Sequence, residues 1–150
     1  MHRITLAGLI GVLALVMMAV TVRAQEPVTA ATVPVETIEA MQSAIRGQIG
    51  AFQANDADAA FAYAAPAIRQ RFASPARFVA MVRQAYSTVF EHQSFSFIDE
   101  ALTSAGPAQR VEFVTEDGLV WGGIYTFEEA DTGELFISGV LLRRENTRQI

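Results

Sequence analysis

The 150-residue chain contains no cysteine and no lysine, and its only histidines are His2 and His92. Without cysteine there can be no disulfide, no thiol nucleophile and no thiolate zinc site. With so few imidazoles, a zinc or iron centre lacks ligands, so neither a metal nor a cofactor is expected. Asp56-Ala-Asp58 suits a helix start better than a calcium loop. No Gly-x-Ser-x-Gly stretch is present to carry a serine nucleophile. Positive charge is scarce as well. Beyond residue 24 there are nine arginines against sixteen acidic residues, a formal charge of −7. A domain this acidic, with no basic stripe, repels phosphate backbones, which excludes nucleic acid as a partner class.

One long apolar run is present, and it lies at the start. Met1-His2-Arg3 is a short positive opening, Ile4 to Val22 carries no charge, and Val22-Arg23-Ala24 places small or β-branched residues at −3 and −1 before Gln25. This is the layout of a secretory signal peptide cleaved after Ala24, which predicts a periplasmic or secreted protein with no membrane span after cleavage. An uncleaved anchor is the competing reading, because the run is just long enough to span a bilayer. No cysteine follows it to take a lipid.

Removing residues 1–24 leaves 126 residues, enough for one domain with its own core. Residues 25–34, with two prolines and no apolar period, read as a flexible lead-in. From Val35 a helical period sets in. Ile38, Met41, Ile45, Gln48, Ile49 and Phe52 fall within an arc of roughly 100°. Asn55-Asp56 offers an N-cap for a second helix, Ala57 to Ala65, which Pro66 ends or kinks before Ala67 to Phe72. Ser74-Pro75 starts a third, with Phe78, Val79, Met81, Val82, Ala85 and Tyr86 on one face.

After Tyr86 the period changes to two. Gln93 to Ile98, Gln109 to Thr115, Leu119 to Phe127 and Leu135 to Leu142 read as hairpin-linked strands, with Glu116-Asp117-Gly118 and Ala130-Asp131-Thr132-Gly133 as turns. The expected fold is α+β: three N-terminal helices packed on a curved four-stranded antiparallel sheet, over residues 35–142, with a polar tail at 143–150. Gly122, Gly123 and Gly139 inside strands point to bends or a bulge, and a curved sheet around helices makes a cone that can hold a pocket. Alternation puts Val114, Val120, Ile124, Phe136, Val140 and Leu142 on the face away from the helices. That patch is larger than monomers usually expose, which predicts a homodimer through the sheet.

The segments Phe61 to Ile68, Phe72 to Pro75, Phe78 to Tyr86, and Asp117-Gly118 followed by Trp121 and Tyr125 resemble the bacterial family called domain of unknown function 4864. The resemblance covers about Val35 to Leu142, and Phe72 to Tyr86 is its most specific stretch. It departs from the family at Ser87-Thr88, where prolines are usual, and at Leu135-Phe136, where a tryptophan is frequent. The family in turn resembles the nuclear-transport-factor-2-like superfamily. That implies a cone-shaped α+β fold and, by analogy, a dimer, but no catalytic residue, because the superfamily holds isomerases, dehydratases and plain binding domains.

The candidate pocket residues are Tyr63, Arg83, Tyr86, Trp121 and Tyr125. Each aromatic can equally be plain core. Arg83, at the margin of its helix's buried face, can reach a cone mouth to hold an anion or lie over the core edge beside a helix-1 acid. Gln48, inside an apolar arc, poses the same question. The expected function is binding of an apolar or amphipathic small molecule, or of a partner protein, without covalent chemistry. The runner-up is an isomerase- or dehydratase-like enzyme on a small carbonyl substrate, with Tyr63, Tyr86 or Tyr125 as oxyanion donor and Asp99 or His92 as base. A purely structural module is the third reading.

Overall fold

A computed structural model describes residues 32–145. The expected signal peptide, its cleavage after Ala24, most of the lead-in and the end of the polar tail lie outside the described residues. The elements run α1 (Val35–Gln53), α2 (Ala57–Ala62), α3 (Pro66–Phe72), α4 (Pro75–Ala85), α5 (Thr88–Glu91), β1 (His92–Thr103), β2 (Gly106–Thr115), β3 (Val120–Glu129) and β4 (Leu135–Arg144). The strands form one antiparallel sheet in the order β1-β2-β3-β4, open at both edges. The fold is therefore α+β, with a four-stranded antiparallel sheet.

Helix α1 buries Met41, Ala44, Ile45, Gln48, Ile49 and Phe52, the stripe its period requires. Asp56 caps α2 by accepting from the Ala59 N–H at 3.0 Å, and Ser74 caps α4 by accepting from the Arg77 N–H at 3.2 Å. The residue before a proline is pushed out of the helical region, and Ala65 obeys, with φ −59° and ψ 152°. That breaks the expected second helix into α2 and α3. The extended link uses the break, because the Ile137 N–H donates to the Tyr63 carbonyl and the Ala65 N–H donates to the Ile137 carbonyl, both at 2.9 Å. Residues 63–65 thus cover part of the β4 edge, a strand edge that would otherwise stand unpaired. Ala64 and Ala65 are buried there, between the helices and β4.

Five helices rather than three are present among the described residues. Besides the split at Pro66, α5 is a single turn, too short to show a period in sequence. The β4 phase also departs from simple alternation. Phe127 pairs with Ile137 but Thr126 pairs with Gly139, so a bulge at Ser138-Gly139 resets the strand. Val140 and Leu142, expected on the outer face with Phe136, instead pack on the core, and Leu141 turns outward at 60 % exposure. Gly139 suits this site, since a Cβ there would lie 2.9 Å from the Thr126 hydroxyl oxygen. β4 also continues through Arg143 and Arg144, which pair with Gly122 and Trp121, so the domain outlasts the expected end at Leu142. Val33, in the expected flexible lead-in, is buried in the core. Among the described residues no helix is long and apolar enough to cross a membrane.

Candidate functional site

The interface between helices and sheet is filled unevenly. On the β1–β2 side Phe113 is fully buried, with its ring centroid 5.8 Å from that of Phe95 and 5.1 Å from that of His92, and Phe97 meets Phe95 edge to face at 5.6 Å. On the β4 side a second aromatic cluster centres on Phe78, with Phe61 at 5.4 Å, Phe72 at 5.8 Å and Phe52 at 6.1 Å. This second cluster borders a cavity of about 390 Å³.

Each wall of the cavity follows from local structure. α1 presents Gln48 and Phe52 from its buried stripe, and α4 presents Phe78, Met81 and Val82 from its own. Tyr86 enters from the residue that ends α4. The floor is Tyr125 of β3 with Ile137 to Val140 of β4, so the bulge forms part of it. α3 closes the outside with Ile68, Arg71 and Phe72 but buries none of its residues. The space persists because the groups facing it across the break and the bulge, Ala64, Ser138 and Gly139, are small.

The lining is mostly apolar with a few polar groups, the usual make-up of a small-molecule site, and the volume lies within the range of such sites. Tyr125 is 1 % exposed, and burial alone pushes its ionisation well above the ordinary tyrosine value. Gln48, 3 % exposed, donates from Nε2 to the Ala60 carbonyl at 3.2 Å. Arg71 is the one charged side chain among the described lining residues, and it is exposed with its guanidinium 6.0 Å from the Phe72 ring centroid. Among the described residues, the lining includes no aspartate, glutamate or histidine.

Of the five residues singled out in sequence, Tyr86 and Tyr125 line this cavity. The other three are placed elsewhere. Tyr63 lies across Gly47 of α1, with its ring and hydroxyl closer than a Cβ at that position would permit. Arg83 lies over the core edge, one of its two expected courses, but its partner there is Asn55 and not a helix-1 acid. Its Nη2 donates to the Asn55 side-chain oxygen at 3.0 Å, and its guanidinium sits 4.1 Å from the Phe90 ring centroid. Trp121 is half-buried beside Phe113, its register partner, on the filled side of the interface. The two bases of the enzyme reading are also outside the cavity. Asp99 is exposed and paired with Arg110, whose Nε donates to it at 2.9 Å. His92 Nδ1 is 3.1 Å from the Thr88 carbonyl, which can only accept, so that nitrogen carries the proton. Sequence reasoning missed Arg71, Phe72 and Met81 as lining residues. Met81 lies on the apolar face that its helical period defines, and only the position of β4 shows that this face borders a space. The signal for the floor was Gly139, a glycine inside a strand.

Among the described residues no group of histidines and carboxylates is arranged to hold a metal ion. No curated protein and no solved structure matches the chain. Residues 35–150 match the family model described as Domain of unknown function (DUF4864), a span that takes in every described helix and strand and the described cavity lining. The aromatic segments that border the cavity, Phe61 to Ile68 and Phe72 to Tyr86, are those that carried the resemblance in sequence, and this chain belongs to the DUF4864 family.

Proposed function

We propose that this chain is an exported binding protein that holds an apolar or amphipathic small molecule between its helices and the β4 side of its sheet, without covalent chemistry. The observation that carries the reading is the cavity of about 390 Å³ walled by Phe52, Phe72, Phe78, Met81 and Val82. The helices on one sheet face, with a bulge curving β4, fit the cone of the nuclear-transport-factor-2-like superfamily. An isomerase or dehydratase is the weaker reading. Tyr86 and Tyr125 are available as donors, but proton abstraction needs a base within hydrogen-bond reach, and neither Asp99 nor His92 lines the space.

Native mass spectrometry of the protein purified from its own cells tests the reading. A small molecule should accompany the wild-type chain and be lost from Met81→Arg, which puts a charge into the apolar wall. A wild-type chain that carries no adduct and takes up no small aromatic compound would overturn it. Export predicts that the isolated protein begins at Gln25. A product starting at Met1 and retained in membranes would replace export with anchoring.

The outer sheet face supports a second proposal, a two-fold dimer of this chain. Ile98, Ile124 and Leu141 are 47 %, 42 % and 60 % exposed there, with Val114, Val120 and Phe136 half-buried beside them. Ile124→Arg should convert a sedimenting dimer to monomer, and a wild-type monomer at micromolar concentration would end the idea.

A further inference from the structure

Tyr125 is the group that plain packing does not explain. On the inward face of the sheet, Phe113 and Phe127 are as deeply buried and carry no hydroxyl. The Tyr125 hydroxyl has no hydrogen-bond partner among the described residues. Yet no buried side-chain oxygen or nitrogen there is both sealed from solvent and unpartnered. Since Tyr125 lines the cavity and is 1 % exposed, its hydroxyl opens onto that space. A buried hydroxyl left without a partner costs ~1–3 kcal/mol, whereas phenylalanine would fill the same volume without that cost. The hydroxyl therefore calls for a partner that comes from the cavity.

The direction of that hydrogen bond is set by the surroundings. Burial keeps the phenol un-ionised, so it is available as a donor. No cation lines the deep side to neutralise an anion, because Arg71 stands exposed on α3. Gln48 adds a free acceptor. Its Nε2 is held by the Ala60 carbonyl, which fixes the amide and leaves Oε1 without a partner among the described residues.

We infer that the cavity takes a compact, uncharged molecule with an apolar body and an oxygen acceptor, and that this oxygen accepts a hydrogen bond from Tyr125. At about 390 Å³ the cavity sits near the small end of ligand sites, with room for roughly one ring and a short substituent. The inference rests on the binding reading above and deepens it by naming the head group.

Three probes of equal heavy-atom count separate the outcomes: acetophenone, isopropylbenzene and benzoate. Their affinities are measured by calorimetry on the wild-type protein and on Tyr125→Phe, which preserves shape. Acetophenone should bind ~3–10-fold more weakly to Tyr125→Phe, the size of one net hydrogen bond, while isopropylbenzene holds or improves. Benzoate should be the weakest of the three on the wild type. If acetophenone and isopropylbenzene respond alike to Tyr125→Phe, the head-group assignment falls while the binding reading stands. Benzoate binding tighter than acetophenone would overturn the uncharged class. Uptake of none of the three by the wild type would overturn both the assignment and the binding reading.

Discussion

The two sides of the helix–sheet interface are built from the same kind of residue and end differently. On the β1–β2 side, Phe95, Phe97, Phe113 and His92 interlock at 5.1–5.8 Å, and Arg46 covers Phe97 with its guanidinium 4.6 Å from the ring centroid. On the β4 side, Phe52, Phe61 and Phe72 surround Phe78 at 5.4–6.1 Å and still leave about 390 Å³ beside them. Aromatic content therefore does not decide whether an interface closes. The difference lies in side-chain size where the elements meet. On the filled side Phe113 meets Phe95 across β1–β2 and Trp121 across β2–β3, although the β1–β2 register shifts between His92 and Ser94 and between Phe97 and Glu100. On the other side, the Pro66 break and the Ser138-Gly139 bulge put small groups where filling would be needed.

Cutting into the filled side should have the largest effect. Phe113→Ala removes a fully buried ring from close-packed neighbours and should lower unfolding free energy in urea by ~3–5 kcal/mol. A loss near 1 kcal/mol would mean that this side is loosely packed after all.

Overfilling separates the two sides next. Val111 is fully buried and Val140 borders the cavity. Val111→Phe should cost ~1–3 kcal/mol, because a close-packed site must distort to take the ring. Val140→Phe should cost less, since the ring has space to enter, and it should block uptake of aromatic probes. The reverse order of stabilities would break the comparison.

Polar groups sharpen it further. Gln109, fully buried and the register partner of Tyr125, donates to the carbonyls of Asp99 at 2.8 Å and Arg110 at 3.0 Å. Gln109→Leu strands those acceptors and should cost ~1–3 kcal/mol. Tyr125→Phe removes a buried hydroxyl that no described residue satisfies, so at neutral pH it should leave stability unchanged or raise it by up to ~1–3 kcal/mol. A large loss from Tyr125→Phe would reveal a structural role for the hydroxyl.

The smallest effect is confined to alkaline solution. Burial raises the Tyr125 ionisation above its ordinary value of 10.0, so above about pH 10 the unfolded chain releases this proton and the folded chain keeps it. Stability contributed by Tyr125 is complete below pH 10 and falls as pH rises past it. Denaturant midpoints followed from pH 9 upward should decline less steeply for Tyr125→Phe than for the wild type. Parallel curves would mean that water reaches the phenol in the folded state.

Much of this layout was legible in one dimension because it follows from local rules. The α1 stripe is a period of 3.6, and the Asp56 and Ser74 caps each satisfy a backbone N–H within three residues. The four strands and their order follow from period-two alternation and short turns. The family resemblance was carried by the aromatic segments from Phe61 to Tyr86 together with the Asp117–Tyr125 stretch, and the family model matches residues 35–150. The departures arise where two segments distant in sequence meet. Ala64 pairs with Ile137 across more than seventy residues, and nothing near Ala64 announces it. The bulge that turned Val140 and Leu142 inward depends on how β4 docks against Thr126, although Gly139 hinted that alternation would fail there. Arg83 went to Asn55 and Phe90 because the turn after α1 brought an oxygen, and α5 a ring face, within its reach. The sequence determined the four strands, the buried stripe of α1, the caps of α2 and α4, and the chemical character of Tyr86 and Tyr125. Only the tertiary structure decided that these two border an open space while Tyr63 and Trp121 do not. A cavity is what remains between surfaces contributed by distant segments, and no local pattern encodes a volume that no residue fills.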